Sequence, residues 1–401
     1  MQLADTTHLT YCTNIHPGES WAETAAALHY YIPAVKKQVC PNGWFGVGLR
    51  LSDLASRELI NPKTLSTFAQ WLHEQQAYVF TINGFPFGRF HYQKVKENVH
   101  LPDWTTDMRV DYTFRLAEIL AQLLPEGLTG SISTSPLSYA LWYPSSEQCK
   151  MATRKAAAQL ARAALALFRI FERTGKLIHI DLEPEPDGIM ENLPTTLQTF
   201  QQFIFPAMDK LAELEKIDTE HLRRHVQLCY DVCHFAVAYE NHQQALAQLQ
   251  AAAIPIGKFQ LSAALRVVWH KLHREAQRQA LASFNEPVYL HQVVARTADN
   301  QLLRFPDLPL ALADHQAAAA AEWRVHFHVP IFLANYGLIQ STQSDIQEVL
   351  KWQQLHRYSS YLEVETYTWS VLPADMQLPL AESIARELQW VLQNYAPAKP
   401  A

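Results

Sequence analysis

The chain has 401 residues, 48% of them hydrophobic and 18% charged, with 33 Lys and Arg against 39 Asp and Glu for a net charge of −6. That composition describes a globular protein with a large core and excludes a disordered tail or a collagen-like polymer. The acidic balance argues against a nucleic-acid binder, and no polybasic patch suited to a membrane surface is present.

The opening residues Met-Gln-Leu-Ala-Asp-Thr-Thr-His carry neither a basic nor an apolar segment, so no signal peptide is expected. No apolar run approaches the roughly 20 residues that span a bilayer, so no transmembrane segment is expected. The cysteines Cys12, Cys40, Cys149, Cys229 and Cys233 are sparse and odd in number. They read as reduced thiols of a cytoplasmic protein.

Eight short apolar runs recur along the chain: Leu9–Ile15, Trp44–Leu51, Tyr78–Phe85, Gly130–Leu137, Leu177–Pro184, Val226–His234, Ile256–Ala263 and Tyr361–Trp369. Most are rich in β-branched or aromatic residues, the strand signature. Helical spacing fills several of the gaps, at Thr113–Leu124, Ala156–Thr174, Gln244–Ala253 and Leu380–Gln393, and Gly175 supplies a C-terminal cap. Strand and helix alternating eight times predict an α/β fold, a (β/α)8 TIM barrel in one domain over 1–401. An open doubly wound sheet would usually carry a glycine-rich turn after its first strand, and Asn14-Ile15-His16-Pro17-Gly18-Glu19 is no such turn.

The rhythm breaks between the seventh and eighth runs, which lie roughly a hundred residues apart, far beyond an ordinary barrel connection. The gap holds a basic helix-like stretch near Trp269–Gln279, an alanine-rich helix at Ala317–Ala321, and two more apolar runs, Val288–Val294 and Trp323–Phe332. This is read as an insertion over about 266–350. In the alternative, Trp323–Phe332 is the true seventh strand and Ile256–Ala263 is peripheral. The tail 396–401, with two prolines, is expected to fray.

Barrel enzymes build their sites at the C-terminal ends of the strands, so acids and histidines should gather there. The fifth run ends His179-Ile180-Asp181-Leu182-Glu183, three polar residues on one face with Glu183 nearest the mouth. The sixth ends Asp231-Val232-Cys233-His234, a carboxylate and an imidazole at a spacing that can share one ion. His326 and His328 share a face before Pro330. Glu363 and Glu365 share a face in the last run, and burying both without a cation would be costly. A divalent metal answers that cost, and an arginine partner, Arg50 or Arg324, is the bland answer. His291, Gln260, Arg50, Asn83 and His16 complete the set as substrate contacts or structural residues.

Carboxylates and a histidine from several strand ends suit Mn2+, Zn2+, Mg2+ or Fe2+ without singling one out. Such a site can polarise a carbonyl and a hydroxyl while a carboxylate moves a proton, the chemistry of aldose–ketose isomerisation or epimerisation. It can equally activate water for phosphoester hydrolysis.

The constellation resembles the xylose-isomerase-like TIM-barrel superfamily, which includes sugar-phosphate isomerases, ketose 3-epimerases and endonuclease IV. The resemblance implies metal ligation by Glu183 in Leu182-Glu183-Pro184, by Asp231, and by Glu365, with Glu183 and Glu365 as acid/base pair and His234 contacting substrate. The family's seventh-strand histidine is missing: Gln260 or Lys258 stands there, and His328 substitutes from the insertion.

Longer stretches resemble the metabolite traffic protein EboE family of bacterial ebo gene clusters, best known in cyanobacteria. They are Tyr11-Cys12-Thr13-Asn14-Ile15-His16-Pro17-Gly18-Glu19, Asn83-Gly84-Phe85-Pro86-Phe87-Gly88, His326-Phe327-His328-Val329-Pro330 and Glu363-Val364-Glu365-Thr366-Tyr367-Thr368-Trp369. That resemblance implies a cytoplasmic barrel acting on a small metabolite in association with other ebo-cluster proteins. The expected function is therefore a metal-dependent isomerase- or epimerase-like activity. A metal-assisted phosphoester hydrolase and a non-catalytic metabolite-binding protein are the alternatives.

Overall fold

Each of the eight apolar runs contains one strand of a single parallel sheet. The computed structural model describes residues 1–92, 94–372 and 377–395, so the tail 396–401 lies outside the described residues. In chain order the strands are β1 (His8–Tyr11), β2 (Phe45–Arg50), β3 (Ala77–Asn83), β4 (Gly130–Thr134), β5 (Ile178–Leu182), β6 (Val226–Asp231) and β7 (Ile256–Leu261). Six strands follow: β8 (Ala263–Val268), β9 (Val293–Arg296), β10 (Leu302–Phe305), β11 (Glu322–Val329), β12 (Asn335–Tyr336) and β13 (Ile339–Ser341). The last is β14 (Tyr361–Val364).

The barrel runs β2-β3-β4-β5-β6-β7-β14-β1, with helices between the strands. It closes where β1 meets β2. Only the pair Cys12 and Gly48 bridges there as backbone. Threonine hydroxyls add to it: Thr10 donates to the Gly46 carbonyl at 2.8 Å and accepts from the Gly48 amide at 2.9 Å, and Thr13 accepts from the Arg50 amide at 2.9 Å. Gly48 has to be glycine for this approach, since a Cβ there would lie 1.8 Å from Glu363 Oε1 and 2.6 Å from the Tyr11 carbonyl oxygen.

The strands stop short of the apolar runs because their last residues turn outward to form the rim. The sixth run shows this best. It leaves the sheet at Asp231, whose side chain caps a helix, Val232–Val237, by accepting from the His234 amide at 3.0 Å. Among the helices, the expected Ala156–Thr174 is the end of a longer one, Ser146–Thr174, begun by Ser145 as cap and closed by Gly175 at φ 72°. Its polar first turns carry no apolar spacing and so gave no periodic signal.

Between β7 and β14 lies a second, six-stranded sheet in the order β10-β9-β11-β8-β13-β12. Ile256–Leu261 is the barrel's seventh strand, and Glu322–Val329 belongs to this other sheet, which settles the two readings of the long gap. Only Ser262 separates β7 from β8, so the second sheet starts at the barrel mouth. Strand β11 pairs antiparallel with β8, with Val329 opposite Ala263, which brings its end back over that mouth. Among the described residues no helix is long and apolar enough to cross a membrane, and all five cysteines are free thiols.

Candidate metal centre

Four elements aim polar side chains at one point. Glu183 follows β5, its amide bonded to the Thr134 carbonyl at 3.0 Å. Asp231 ends β6. Glu365 follows β14, its amide bonded to the Leu261 carbonyl of β7 at 3.1 Å. His328 comes from β11 of the second sheet. All four are buried. Ligand-capable atoms of Glu183, Asp231 and Glu365 lie within 4.8 Å of one another, and so do those of Asp231, His234 and His328.

The hydrogen bonds orient this group and leave a definite gap. Glu365 Oε1 accepts from Asn14 Nδ2 at 2.7 Å and from Asn83 Nδ2 at 3.1 Å. Asp231 Oδ1 accepts from Ser262 Oγ at 2.7 Å. His328 Nδ1 donates to the Glu365 carbonyl at 3.0 Å, so its Nε2 carries the free lone pair. Glu183 Oε2, Asp231 Oδ2 and His328 Nε2 have no partner among the described residues. Buried polar atoms are rarely left so. Two carboxylate oxygens and one bare imidazole nitrogen converging in a dry cup are the donor set a divalent ion takes, so the residues present fit a metal.

The electrostatics agree. Burial, then the neighbouring carboxylates, push Glu183 well up and Glu365 up to about 8. Burial also raises Asp231. The imidazoles go the other way: burial lowers His234 to about 3 and His328 to about 4. Without a cation the three carboxyls cannot all ionise together.

The cup opens into a narrow slot with a cavity volume of about 50 Å3. Glu183, Glu365, His234, His326 and His328 line its floor, and Phe85, Phe90, Tyr289 and Tyr367 its walls. Lys96 stands at the rim, held by Asp307 of the second sheet's connections at 2.7 Å.

The remaining residues singled out in the sequence divide into two groups. Asn83, His234 and His326 line the slot with the centre. The others lie elsewhere. Glu363 is deeper in the barrel, paired with Lys258, so its buried charge is balanced by a lysine, where a divalent metal was the first expectation and an arginine the alternative. Gln260 is level with Asp231 and Glu363 in the sheet register, its amide unpartnered among the described residues. Arg50 ties loops together, donating to the carbonyls of Gly18, Pro86 and Gly88. His16 bonds Tyr11 at 2.9 Å and stacks on Tyr31. His291 has both ring nitrogens engaged, by the His326 carbonyl and by Glu286. Asp181 pairs with His179 in the barrel interior at 2.6 Å.

Two residues of the slot, Glu185 and Asn14, and one behind it, His100, escaped the sequence reading. Glu185 is buried and pushed up to about 8 by burial first, then by nearby carboxylates. Its Oε2 lies 3.9 Å from His100 Nε2, and both His100 nitrogens are unpartnered among the described residues. The Glu183-Pro184-Glu185 spacing was the available signal for Glu185. Asn14 and His100 sit in single-turn 3-10 helices, Thr13–Ile15 and Lys96–His100, too short for periodicity or spacing to mark them.

No protein-family model and no curated relative matches the chain. Among solved structures it is similar to a xylose isomerase-like TIM-barrel protein from Mycobacterium smegmatis in complex with magnesium. The TM-score is 0.52 at 10% identity over 98% of this chain and 98% of that one. It is also similar to the IOLI protein with a binding zinc atom, with TM-score 0.46 and 11% identity over 97% and 98%. For D-psicose 3-epimerase in the presence of D-fructose the values are TM-score 0.39 and 12% identity over 71% and 83%. The first of these alone supports the fold assignment. Eight parallel strands in a nearly closed barrel, with helices between them, make this chain a TIM barrel, matching in fold the xylose isomerase-like barrel protein.

Proposed function

We propose that the chain is a metal-dependent isomerase- or epimerase-like enzyme acting on a small polyhydroxylated metabolite. The observation that carries this is the convergence of Glu183, Asp231 and Glu365, with His328 beside them, at the floor of a slot, each of Glu183, Asp231 and His328 presenting one bare atom. A divalent ion held by these four would polarise neighbouring carbonyl and hydroxyl oxygens of a bound sugar or cyclitol.

The chain's own residues do the rest. Glu183 and Glu365 follow strands separated by two others in the barrel. Both carboxyls face the slot, which suits a pair that takes a proton from one carbon and returns one. Asn14 and Asn83 fix Glu365 from one side, and Ser262 fixes Asp231. Phe85, Tyr289 and Tyr367 exclude water and leave room for a small substrate only.

The stretches that resemble EboE extend the proposal to a metabolite being made and exported, with the chain in the cytoplasm and other ebo-cluster proteins as functional associates. A second reading, metal-assisted phosphoester hydrolysis, draws on the close approach of His234 Nε2 and His326 Nε2 at 3.1 Å, since such hydrolysis commonly uses paired ions.

The test combines metal content by plasma mass spectrometry with solvent exchange. Wild type should hold at least one divalent ion per chain, and folded Glu183→Gln and Asp231→Asn variants should lose it. In D2O, a panel of ketoses, aldoses and cyclitols should gain carbon-bound deuterium. Phosphate release without exchange would favour the second reading. Ion binding with neither would leave a metabolite-binding protein. No ion after reconstitution with Mn2+ and Zn2+ would overturn the metal-dependent readings.

A further inference from the structure

One buried acid of the slot has no place in the metal centre. Glu185 lines the wall, is 5% exposed, and leaves Oε2 without a partner among the described residues. Its backbone is pinned at both ends: the amide donates to the Met190 carbonyl at 3.0 Å, and the carbonyl accepts from the Gly188 amide at 2.9 Å. The carboxyl is therefore held at the slot and does not hang from a loose loop. The basic groups near it are two imidazoles, His100 and His326, each at 3.9 Å and so beyond hydrogen-bond reach. His326 Nδ1 is already engaged by Gln292 Oε1 at 2.7 Å.

His100 is the complement. It is fully buried against the rings of Phe85, Tyr139 and Trp142, and both its nitrogens are unpartnered among the described residues. Buried polar atoms normally find partners. His100 Nε2 and Glu185 Oε2 thus face one gap of 3.9 Å. An atom about 2.9 Å from each would make its two hydrogen bonds at roughly a right angle, which a tetrahedral donor can do.

Charge decides what belongs there. Glu183, Glu185 and Glu365 line the slot, with Asp231 in the cup beneath. Among the described residues lining it, the one lysine or arginine is Lys96, and Asp307 already pairs with that. One divalent ion offsets two of these carboxylates and leaves the slot acidic. No side chain here is free to hold a phosphate or carboxylate group away from the ion. The walls are the rings of Phe85, Phe90, Tyr289 and Tyr367, and aromatic faces attract cations. A hydroxyl would fill the gap and leave the Glu185 charge unanswered. An ammonium group answers both.

We propose that Glu185 and His100 form a subsite for a primary ammonium group, so that the substrate is an amine-bearing polyol of the amino sugar or aminocyclitol class. This rests on the slot being the substrate site of the function proposed above. The amine donates to Glu185 Oε2 and to His100 Nε2, which places the hydrogen of that ring on Nδ1.

The test is calorimetric binding to Mn2+-reconstituted full-length protein, with metal content measured on the same samples. The probes are amines paired with alcohols of the same framework: serinol against glycerol, D-glucosamine and kanosamine against D-glucose, and scyllo-inosamine against scyllo-inositol. At least one amine should bind about 10–100-fold tighter than its alcohol, the usual gain from hydrogen bonds to a charged group. N-acetylation of that amine should remove the gain. Glu185→Gln should abolish the preference and keep the ion. The alcohol and acetyl comparisons need wild type alone, so they hold if the variant does not fold.

Amines no tighter than their alcohols across the panel overturn the subsite and leave the proposed function standing. A preference that survives in Glu185→Gln also overturns it, because the amine then sits on another carboxylate. Protein that takes up no ion overturns the proposed function, and an amine preference lost with Glu185→Gln in that protein would still uphold the subsite.

Discussion

Lys258 of β7 reaches Glu363 of β14 inside the barrel, and both side chains are fully shielded from solvent. Lys258 Nζ also donates to Thr81 Oγ1 at 3.2 Å. An ion pair at this depth repays its desolvation only while both partners remain.

Removing one partner should therefore cost more than removing both. Lys258→Met leaves Glu363 buried and unpaired, and we expect a loss of about 3–5 kcal/mol in urea unfolding. The double variant Lys258→Met, Glu363→Gln should regain most of it. A double variant no more stable than Lys258→Met would show that the pair is not what balances Glu363.

Gly48 makes a second prediction about the same region. A methyl at Gly48 would collide with Glu363 Oε1, on a side chain held by Lys258, and with the backbone carbonyl of Tyr11. Gly48→Ala should cost at least about 1–3 kcal/mol, the usual range for overpacking. Gly88 has nothing within 4 Å of its would-be Cβ, so Gly88→Ala should stay within about 0.5 kcal/mol. Equal thermal shifts for the two variants would contradict the account of closure.

The pH dependence of the metal-free protein has a defined sign. Folding raises Glu365 from its ordinary 4.5 to about 8, and raises Glu183 too, chiefly by burial. The folded state then binds protons that the unfolded state has released. This contribution to stability is fully present below about pH 4.5 and is lost as pH rises through about 8. The buried histidines act in the opposite sense only up to their ordinary value near 6.5, so between about pH 6.5 and 8 metal-stripped protein should melt at progressively lower temperature. Metal-loaded protein should not, because the ion compensates the ionised carboxyls. A metal-free melting temperature that rises between about pH 6.5 and 8 would count against the clustered-carboxyl geometry.

Asn14 and Asn83 offer a test of how the centre is oriented. Both donate to Glu365 Oε1, leaving its other oxygen to turn towards Asp231 and Glu183. Asn14→Ala or Asn83→Ala should lower metal affinity about 10–100-fold, as loss of such outer contacts does. Competition with a chromophoric chelator reads it directly. Affinity unchanged in both variants would mean that Glu365 needs no such support.

The barrel was legible because its strands are buried on both faces and read as uninterrupted apolar runs. The rim acids were legible for the converse reason: Glu183, Asp231 and Glu365 are polar residues at the ends of such runs. What the sequence hid is pairing across distance. Nothing local to Glu363 announces Lys258, which lies one inserted sheet earlier in the chain, so a divalent metal, with an arginine as the alternative, was the partner the sequence suggested. Arg50 and His16 look like site residues because they too end or follow strands, yet the one serves loop carbonyls and the other a tyrosine stack. Asn14 carries no apolar or charge pattern, and only its contact with Glu365 reveals it.

The added sheet has a consequence for how such a protein can change. The barrel strands and their ends bring Glu183, Asp231, Glu365 and His234 to the cup, while β11 brings His326 and His328. Hard oxygen donors and softer imidazoles favour different ions. In the proposed metal centre, two of the three imidazoles therefore belong to a segment that leaves and re-enters the barrel between two of its strands. That segment can diverge without disturbing the eight-stranded frame, so a lineage could exchange one metal for another by editing the appendage and leaving the barrel alone.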